Sequence, residues 1–315
     1  MSKIACVFPG QGAQQVGMGK DIFENDEQAK KKFTAADQQA GFPLTKLIME
    51  GPEEELTLTE NAQPAILTVS AVLYALFQAS GVRPDYVAGH SLGEYSALVA
   101  AGALTFENAV YAVRRRGLLM KAAVPNGEGT MAAVLGLDAG VLSDICVQAS
   151  ACGQLVQPAN HNAPGQIVIS GTTQGVAAAS RLALEAGARR VIPLVVSGPF
   201  HSRLMEPAAG QLGAVLAALP MQDAAIPVVA NCTAEVEEKA DDIRRHLVEQ
   251  LYSPVRWAET IERLETLGVD TYVEIGPGRV LSGLIRKIDR RAKTLHINDL
   301  ASLETTVRQL KEVGQ

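Results

Sequence analysis

Gly89-His90-Ser91-Leu92-Gly93 sets a serine between two glycines where a short apolar run gives way to an alanine-rich helical pattern. A serine hydroxyl is a weak nucleophile until a base takes its proton and donors receive charge on the attacked oxygen. A G-x-S-x-G turn between strand and helix meets the second need. The tight turn leaves no room for a Cβ on either side, and the serine stands at a helix head whose free N–H groups face a developing oxyanion. The same residues would also make a plain glycine-rich turn with a serine N-cap. The strand before and the helix after favour the nucleophile.

A base must come from five histidines: His90, His161, His201, His246 and His296. His90 adjoins Ser91 around a sharp turn, so the two side chains diverge, and it is expected to support the turn by hydrogen bonding. His246 lies in a charged helical stretch and is expected in solvent. His296 sits in a late apolar run and is expected as a satisfied core residue. His161 falls in a turn-rich loop that would border a cleft. His201 follows a strand pattern through Ser197-Gly198-Pro199-Phe200 and precedes a helix, which places it at the C-terminal end of a strand, where open α/β sheets hold their ligands. It is the expected general base for Ser91. No acid between serine and histidine offers itself as a third member. Asp138, Asp144, Glu206 or a carbonyl oxygen from a later loop remain open as partners.

Arg114-Arg115-Arg116 points three ways, because successive helix positions differ by about 100°. Arg116 projects from the most apolar part of its helix, near Ala112, Val113, Gly117 and Met120. A buried guanidinium needs an anion. It forms either an internal salt bridge or a bidentate clamp on a substrate carboxylate.

The elements that position these residues follow from the pattern of 315 residues, 47% hydrophobic and 20% charged. Short β-branched runs alternate with helical patterns, the mark of an α/β fold with a mainly parallel sheet. Strands are expected at 3–8 and 85–89, helices at 62–80, 92–101 and from Thr105, as N-cap, to 123, ahead of a turn at 125–127. Strands at 131–137, 154–159, 166–170 and 190–196, with helices at 139–149 and 176–186, make a βαββαβ order typical of a ferredoxin-like unit. The chain therefore reads as a large α/β-hydrolase-like subdomain, 1–126 and 197–315, interrupted by a small ferredoxin-like subdomain at 127–196. The alternative is that these strands continue the large sheet. A helix at 204–219, a strand at 227–231, a helix at 240–251, a strand at 271–275 and a last helix from about Gly278 complete it.

Composition excludes several function classes. Net charge is −6 and aromatic residues make up 4%, unlike a basic, base-stacking nucleic-acid surface. Cys6, Cys146, Cys152 and Cys232 form no C-x-x-C pair and are expected as free thiols in a reducing cytoplasm. The N-terminal apolar run is short for a signal peptide, and the apolar stretch 65–77, broken by Thr68 and Ser70, is short for a membrane span. No metal site or nucleotide loop is indicated, and no cofactor is expected.

These residues closely resemble the malonyl-CoA:acyl carrier protein transacylase family of bacterial fatty acid synthesis. The resemblance runs along essentially the whole chain: Phe8-Pro9-Gly10-Gln11-Gly12, 59–65, the elbow with Glu94-Tyr95, Arg116-Gly117 with Met120, Asn160-His161-Asn162, 198–202, 250–257 and 274–278. It implies that Ser91 is acylated and that His201 is its base. It implies an oxyanion hole from the N–H groups of Gln11 and Leu92, and a Gln250 carbonyl that orients His201. Arg116 would pair with the malonyl carboxylate, and Gln63, Met120, Asn160 and Phe200 would line the substrate. The bulky Phe200 and Leu92 imply malonyl rather than branched acyl groups. The mechanism implied is ping-pong, from malonyl-CoA to the phosphopantetheine thiol of an acidic holo-acyl carrier protein; separately, a monomer is expected. Candidate basic docking clusters are Arg189-Arg190, and Arg286-Lys287 with Arg290-Arg291. A serine thioesterase, an idle scaffold and an acyltransferase for polyketide synthesis are the rival readings.

Overall fold

The last four side chains of Lys3–Phe8 are all buried, so this strand, β1, is covered on both faces, as in the interior of a parallel sheet. The computed structural model describes residues 3–125, 127–151 and 153–313. Parallel to β1 run β2 (Tyr86–Gly89) on one side and β9 (Val269–Ile275) on the other. Outside them lie β7 (Val228–Val229) and β10 (Lys293–Ile297), and β8 (Val236–Glu237) closes one edge antiparallel to β7. The order is β10-β9-β1-β2-β7-β8.

A second sheet is wholly antiparallel: β3 (Gly129–Leu135), β4 (Val156–Ala163), β5 (Gln166–Thr172) and β6 (Arg190–Pro193), in the order β4-β5-β3-β6. With helices Ala139–Ser150 and Thr173–Glu185 it has the ferredoxin-like arrangement expected, not a continuation of the parallel sheet. Val134, Leu142, Ile145, Ile169 and Val176 give it a separate apolar core. The α/β class with a mainly parallel sheet is likewise as expected.

Several boundaries differ from the sequence pattern. β6 stops at Pro193 instead of 196, because a tight turn from Val196 N–H to Leu194 C=O takes the chain off the sheet. β4 runs on to Ala163, through the expected loop. Val255 donates to Ala159 C=O and accepts from His161 N–H, which gives the strand a partner on its second edge. β10 and a terminal helix, Leu300–Val313, extend the sheet beyond the elements expected. Four helices, three of them short and one of 14 residues (Glu27–Ala40), fill Lys20–Thr57, where the sequence offered no assignment. The expected turn at 125–127 includes Asn126, which lies outside the described residues.

The helix Thr59–Ala79 has 21 residues, longer than the apolar stretch suggested, and by length and composition it could cross a membrane. In the fold 78% of its most apolar window is buried, so it serves as a core helix. Cys6, Cys146 and Cys232 carry free thiols; Cys152 lies outside the described residues.

Candidate active site

Ser91 joins β2 to helix Leu92–Ala100 with φ 53° and ψ −105°, a conformation that costs about 1–3 kcal/mol for a residue with a Cβ. Close approach enforces it. A Cβ on Gly89 would stand 1.9 Å from Gly93 C, and one on Gly93 would stand 2.0 Å from Phe8 O. Two side chains fasten the turn. Asn231, just after β7, accepts from Ser91 N–H (2.6 Å) and donates to Gly89 C=O (2.6 Å); Gln250 Nε2 donates to Ser91 C=O (2.9 Å).

His201 also has a positive φ, 56°, and is buried. Its Nε2 is 2.7 Å from Ser91 Oγ and its Nδ1 2.8 Å from the Gln250 carbonyl. A carbonyl can only accept, so Nδ1 carries the proton and Nε2 presents its lone pair to the hydroxyl. The carbonyl thus takes the place of the missing acid. Burial, and next the Arg116 cation, hold His201 down to about 3, so the imidazole is neutral at ordinary pH.

Arg116 is 1% exposed, while Arg115 on the same helix is exposed and Arg114 reaches Glu60 C=O and Asn61. Gly117 lets helices Phe106–Ala122 and Thr59–Ala79 touch, since a Cβ there would come within 2.6 Å of Glu60 Cα. Arg116 Nη1 donates to Gln63 Oε1 (2.8 Å), and Nη2 donates to Gln250 Oε1 (2.8 Å) and Ser91 Oγ (3.1 Å). Its guanidinium lies 5.6 Å from the Tyr95 ring centroid. Among the described residues no carboxylate forms an ion pair with it. The internal salt bridge is therefore not what holds it; neutral amides and a hydroxyl do.

These groups open onto a cavity of about 280 Å³. Gln11, Gln63, Arg116 and Asn160 form its polar side; Leu92, Met120, Met131, Leu194 and Phe200 its apolar side. Leu92 N–H is the first of its helix and has no acceptor within that helix. Gln11 is held by Nε2 to Thr59 Oγ1 (3.0 Å), which shares a hydrogen bond with Ser197 Oγ (2.9 Å). Gln250 lies behind the cavity, beneath Ser91 and His201.

The other histidines have other partners. His90 Nε2 bonds to Asn162 Oδ1 (2.8 Å), bracing the turn. His161 is on β4, 3.3 Å from Glu259, and borders a different hollow from the one that contains Ser91. His246 is not in solvent: only 14% of its side chain is exposed, and it is hydrogen-bonded to the buried Glu237. His296 is half-buried on the outermost strand rather than in the core.

The basic clusters are brought to each other and not to Ser91. Arg189, Arg190, Arg286 and Lys287 are exposed. Lys287 Nζ donates to Gln166, which pairs with Leu135, which pairs with Arg190. Met131, at the cavity, is four residues back along β3, about 13 Å at the rise of a strand.

The sequence reading gave no role to Glu94, quoted only with the elbow, or to Asn231, quoted only as the end of a strand. An acid in the first turn of a helix is ordinary there, and an asparagine after a strand is an ordinary turn residue, so neither carries a signal. Only the fold buries both beneath the serine.

A family model described as an acyl transferase domain matches residues 5–308. A malonyl CoA-acyl carrier protein transacylase of Bacillus subtilis (strain 168) is 56% identical over 312 residues, 99% of this chain and 98% of that protein. The solved acyl carrier protein S-malonyltransferase of Vibrio cholerae is 43% identical with a TM-score of 0.94, over 97% of this chain and all of that one (100%). A malonyl-transacylase solved in complex with its holo type II PKS acyl-carrier protein is 43% identical with a TM-score of 0.95, over 98% of this chain and 100% of that chain.

Proposed function

The chain belongs to the acyl transferase family and within it to the malonyl CoA-acyl carrier protein transacylases, and from that premise we propose that it moves malonyl from coenzyme A to a carrier protein through malonyl-Ser91. The observation that carries this reading is a buried guanidinium, without an ion pair among the described residues, in contact with the hydroxyl of a histidine-paired serine.

Ser91 Oγ attacks the thioester carbon of malonyl-CoA while His201 Nε2 takes its proton. The negative oxygen that forms is received by the main-chain N–H groups of Gln11 and Leu92. Collapse expels the coenzyme A sulfur, which receives the proton from His201. The phosphopantetheine thiol of a holo-acyl carrier protein then attacks malonyl-Ser91, with His201 again as base, and Ser91 recovers the proton. Every step uses side chains and main-chain groups of the protein itself, and we place the reaction in the cytoplasm.

Malonyl brings its own switch. Burial and then Arg116 lower the basicity of His201, and Arg116 also donates to Ser91 Oγ. A malonyl carboxylate on Arg116 offsets that charge and relieves this smaller of the two effects, while burial still holds the imidazole down. An acetyl group does neither, so selection of malonyl acts on the chemical step as well as on binding.

The carrier protein is acidic while this chain is net negative, so docking falls to the local basic face formed by Arg189, Arg190, Arg286 and Lys287. Intact-protein mass after mixing with malonyl-CoA tests the central step. Wild type gains one malonyl group and releases it to holo-carrier protein, and Ser91→Ala gains none. Release to water alone would replace transfer by hydrolysis, and no adduct with no free coenzyme A would remove the enzyme reading.

A further inference from the structure

The two side chains that fasten the serine turn, Gln250 and Asn231, both rest on one oxygen the reaction does not touch. Glu94 is fully buried in the first turn of helix Leu92–Ala100, three residues after the nucleophile. Its Oε2 accepts from Gln250 Nε2 (2.9 Å) and from Asn231 N–H (3.0 Å). Gln250 in turn holds Ser91 C=O, Arg116 Nη2 and His201 Nδ1. Asn231 holds Ser91 N–H and Gly89 C=O. The strained serine, its base and the guanidinium thus share one support.

We propose that Glu94 is the positioning residue of this site and works as an uncharged hydrogen-bond acceptor. Two observations bear on the charge. Both N–H donors converge on Oε2, and Oε1 has no hydrogen-bond partner among the described residues, which leaves it as the oxygen to carry a proton. The groups that face it are Tyr95 on its own helix, Arg116 on the next, Cys232 after β7, and Glu237 on β8 with His246 bonded behind. Burial and then Glu237 push the Glu94 carboxyl up to about 8, against the smaller opposing pull of Gln250, Asn231 and Arg116.

Neutrality has a consequence for specificity. An anionic Glu94 would be the internal counter-charge of Arg116, reached through Gln250, and would compete with a substrate carboxylate. A neutral one leaves Arg116 as an uncompensated cation. This role rests on the malonyl reading for its substrate but not for its effect on Ser91, whose reactivity can be measured with a reagent that has no carboxylate.

Glu94→Gln keeps an acceptor oxygen and can never ionise; Glu94→Ala removes the acceptor. Labelling of Ser91 by phenylmethylsulfonyl fluoride, melting temperature, and kcat and KM for malonyl-CoA are measured on both. Glu94→Gln is expected to match wild type in labelling and kcat at neutral pH. Glu94→Ala is expected to label about 100-fold more slowly, the scale of a misplaced catalytic group. As pH rises through about 8, KM for malonyl-CoA should rise in wild type and stay flat in Glu94→Gln. Coincident KM profiles would overturn the proposal, as would a folded Glu94→Ala with wild-type labelling or a Glu94→Gln as slow as Glu94→Ala. If Glu94→Ala does not fold, the Glu94→Gln comparison decides alone. A wild type that is sulfonylated but never malonylated would defeat the malonyl reading and leave the positioning role standing.

Discussion

Among the described residues, buried polar side chains crowd the body built on the parallel sheet and are nearly missing from the antiparallel unit. Glu94, Arg116, His201, Asn231, Glu237 and Gln250 lie in the first, but only Asn160 and Ser170 in residues 127–196. An antiparallel ladder satisfies its backbone internally and needs only apolar cover on one face. The C-terminal ends of parallel strands open into loops and helix heads with unpaired N–H groups, and polar side chains must finish what the sheet leaves. Both regions therefore have apolar cores, and only the first adds a buried hydrogen-bond network at its strand ends. The antiparallel unit supplies cavity walls, Met131, Asn160 and Leu194, and no member of the serine–histidine pair.

The sharpest way to break this contrast is at the network. Arg116→Ala should lower kcat/KM for malonyl-CoA by about 10²–10³, the scale of a lost buried charge contact, and acetyl transfer much less. Equal losses for both acyl groups would show that the guanidinium only braces the site. In the other region, Leu142→Ala should cost about 2–5 kcal/mol of stability in denaturant unfolding while leaving kcat unchanged. A parallel fall in kcat would mean that the two regions are coupled.

A pH dependence sharpens the same point. His201 is held at about 3, below its unfolded value near 6.5, so the unfolded chain binds its proton first as pH falls. That contribution is complete above about 6.5 and is lost toward about 3, on the order of a few kcal/mol. His201→Gln should therefore lose less stability than wild type over that interval in pH-dependent unfolding. The smallest effect is at the surface. Arg190→Glu should raise KM for the carrier protein by about threefold at low salt, with no change at high salt and none in acylation by malonyl-CoA.

Ser91, His201 and Arg116 were legible in the sequence because their signals are local. Glycines flank a strand-to-helix turn, a histidine follows a strand end through a stiff loop, and an arginine lies on the apolar side of a helix. The ferredoxin-like order was legible for the same reason, since each element is short and bounded by turn residues. The end of β6 was not, because Leu194-Val195-Val196 has strand composition and leaves the sheet only to line the cavity. The full length of β4 depended on Val255, a hundred residues away in sequence and adjacent in space. His246 looked solvated by its charged neighbours and is covered because β8 brings Glu237 to it.

What the sequence determined by itself was the chemistry on offer: a glycine-flanked serine, one histidine on a strand-end loop, an arginine among apolar residues, and the α/β order that carries them. Local periodicity and turn chemistry suffice for that, because they act within a few residues. Only the tertiary structure decided that Arg116 meets amides instead of an acid, that a Gln250 carbonyl orients His201, and that Glu94 stands under them all. Those facts depend on burial and on partners 49 to 156 residues apart in sequence, which no local pattern encodes.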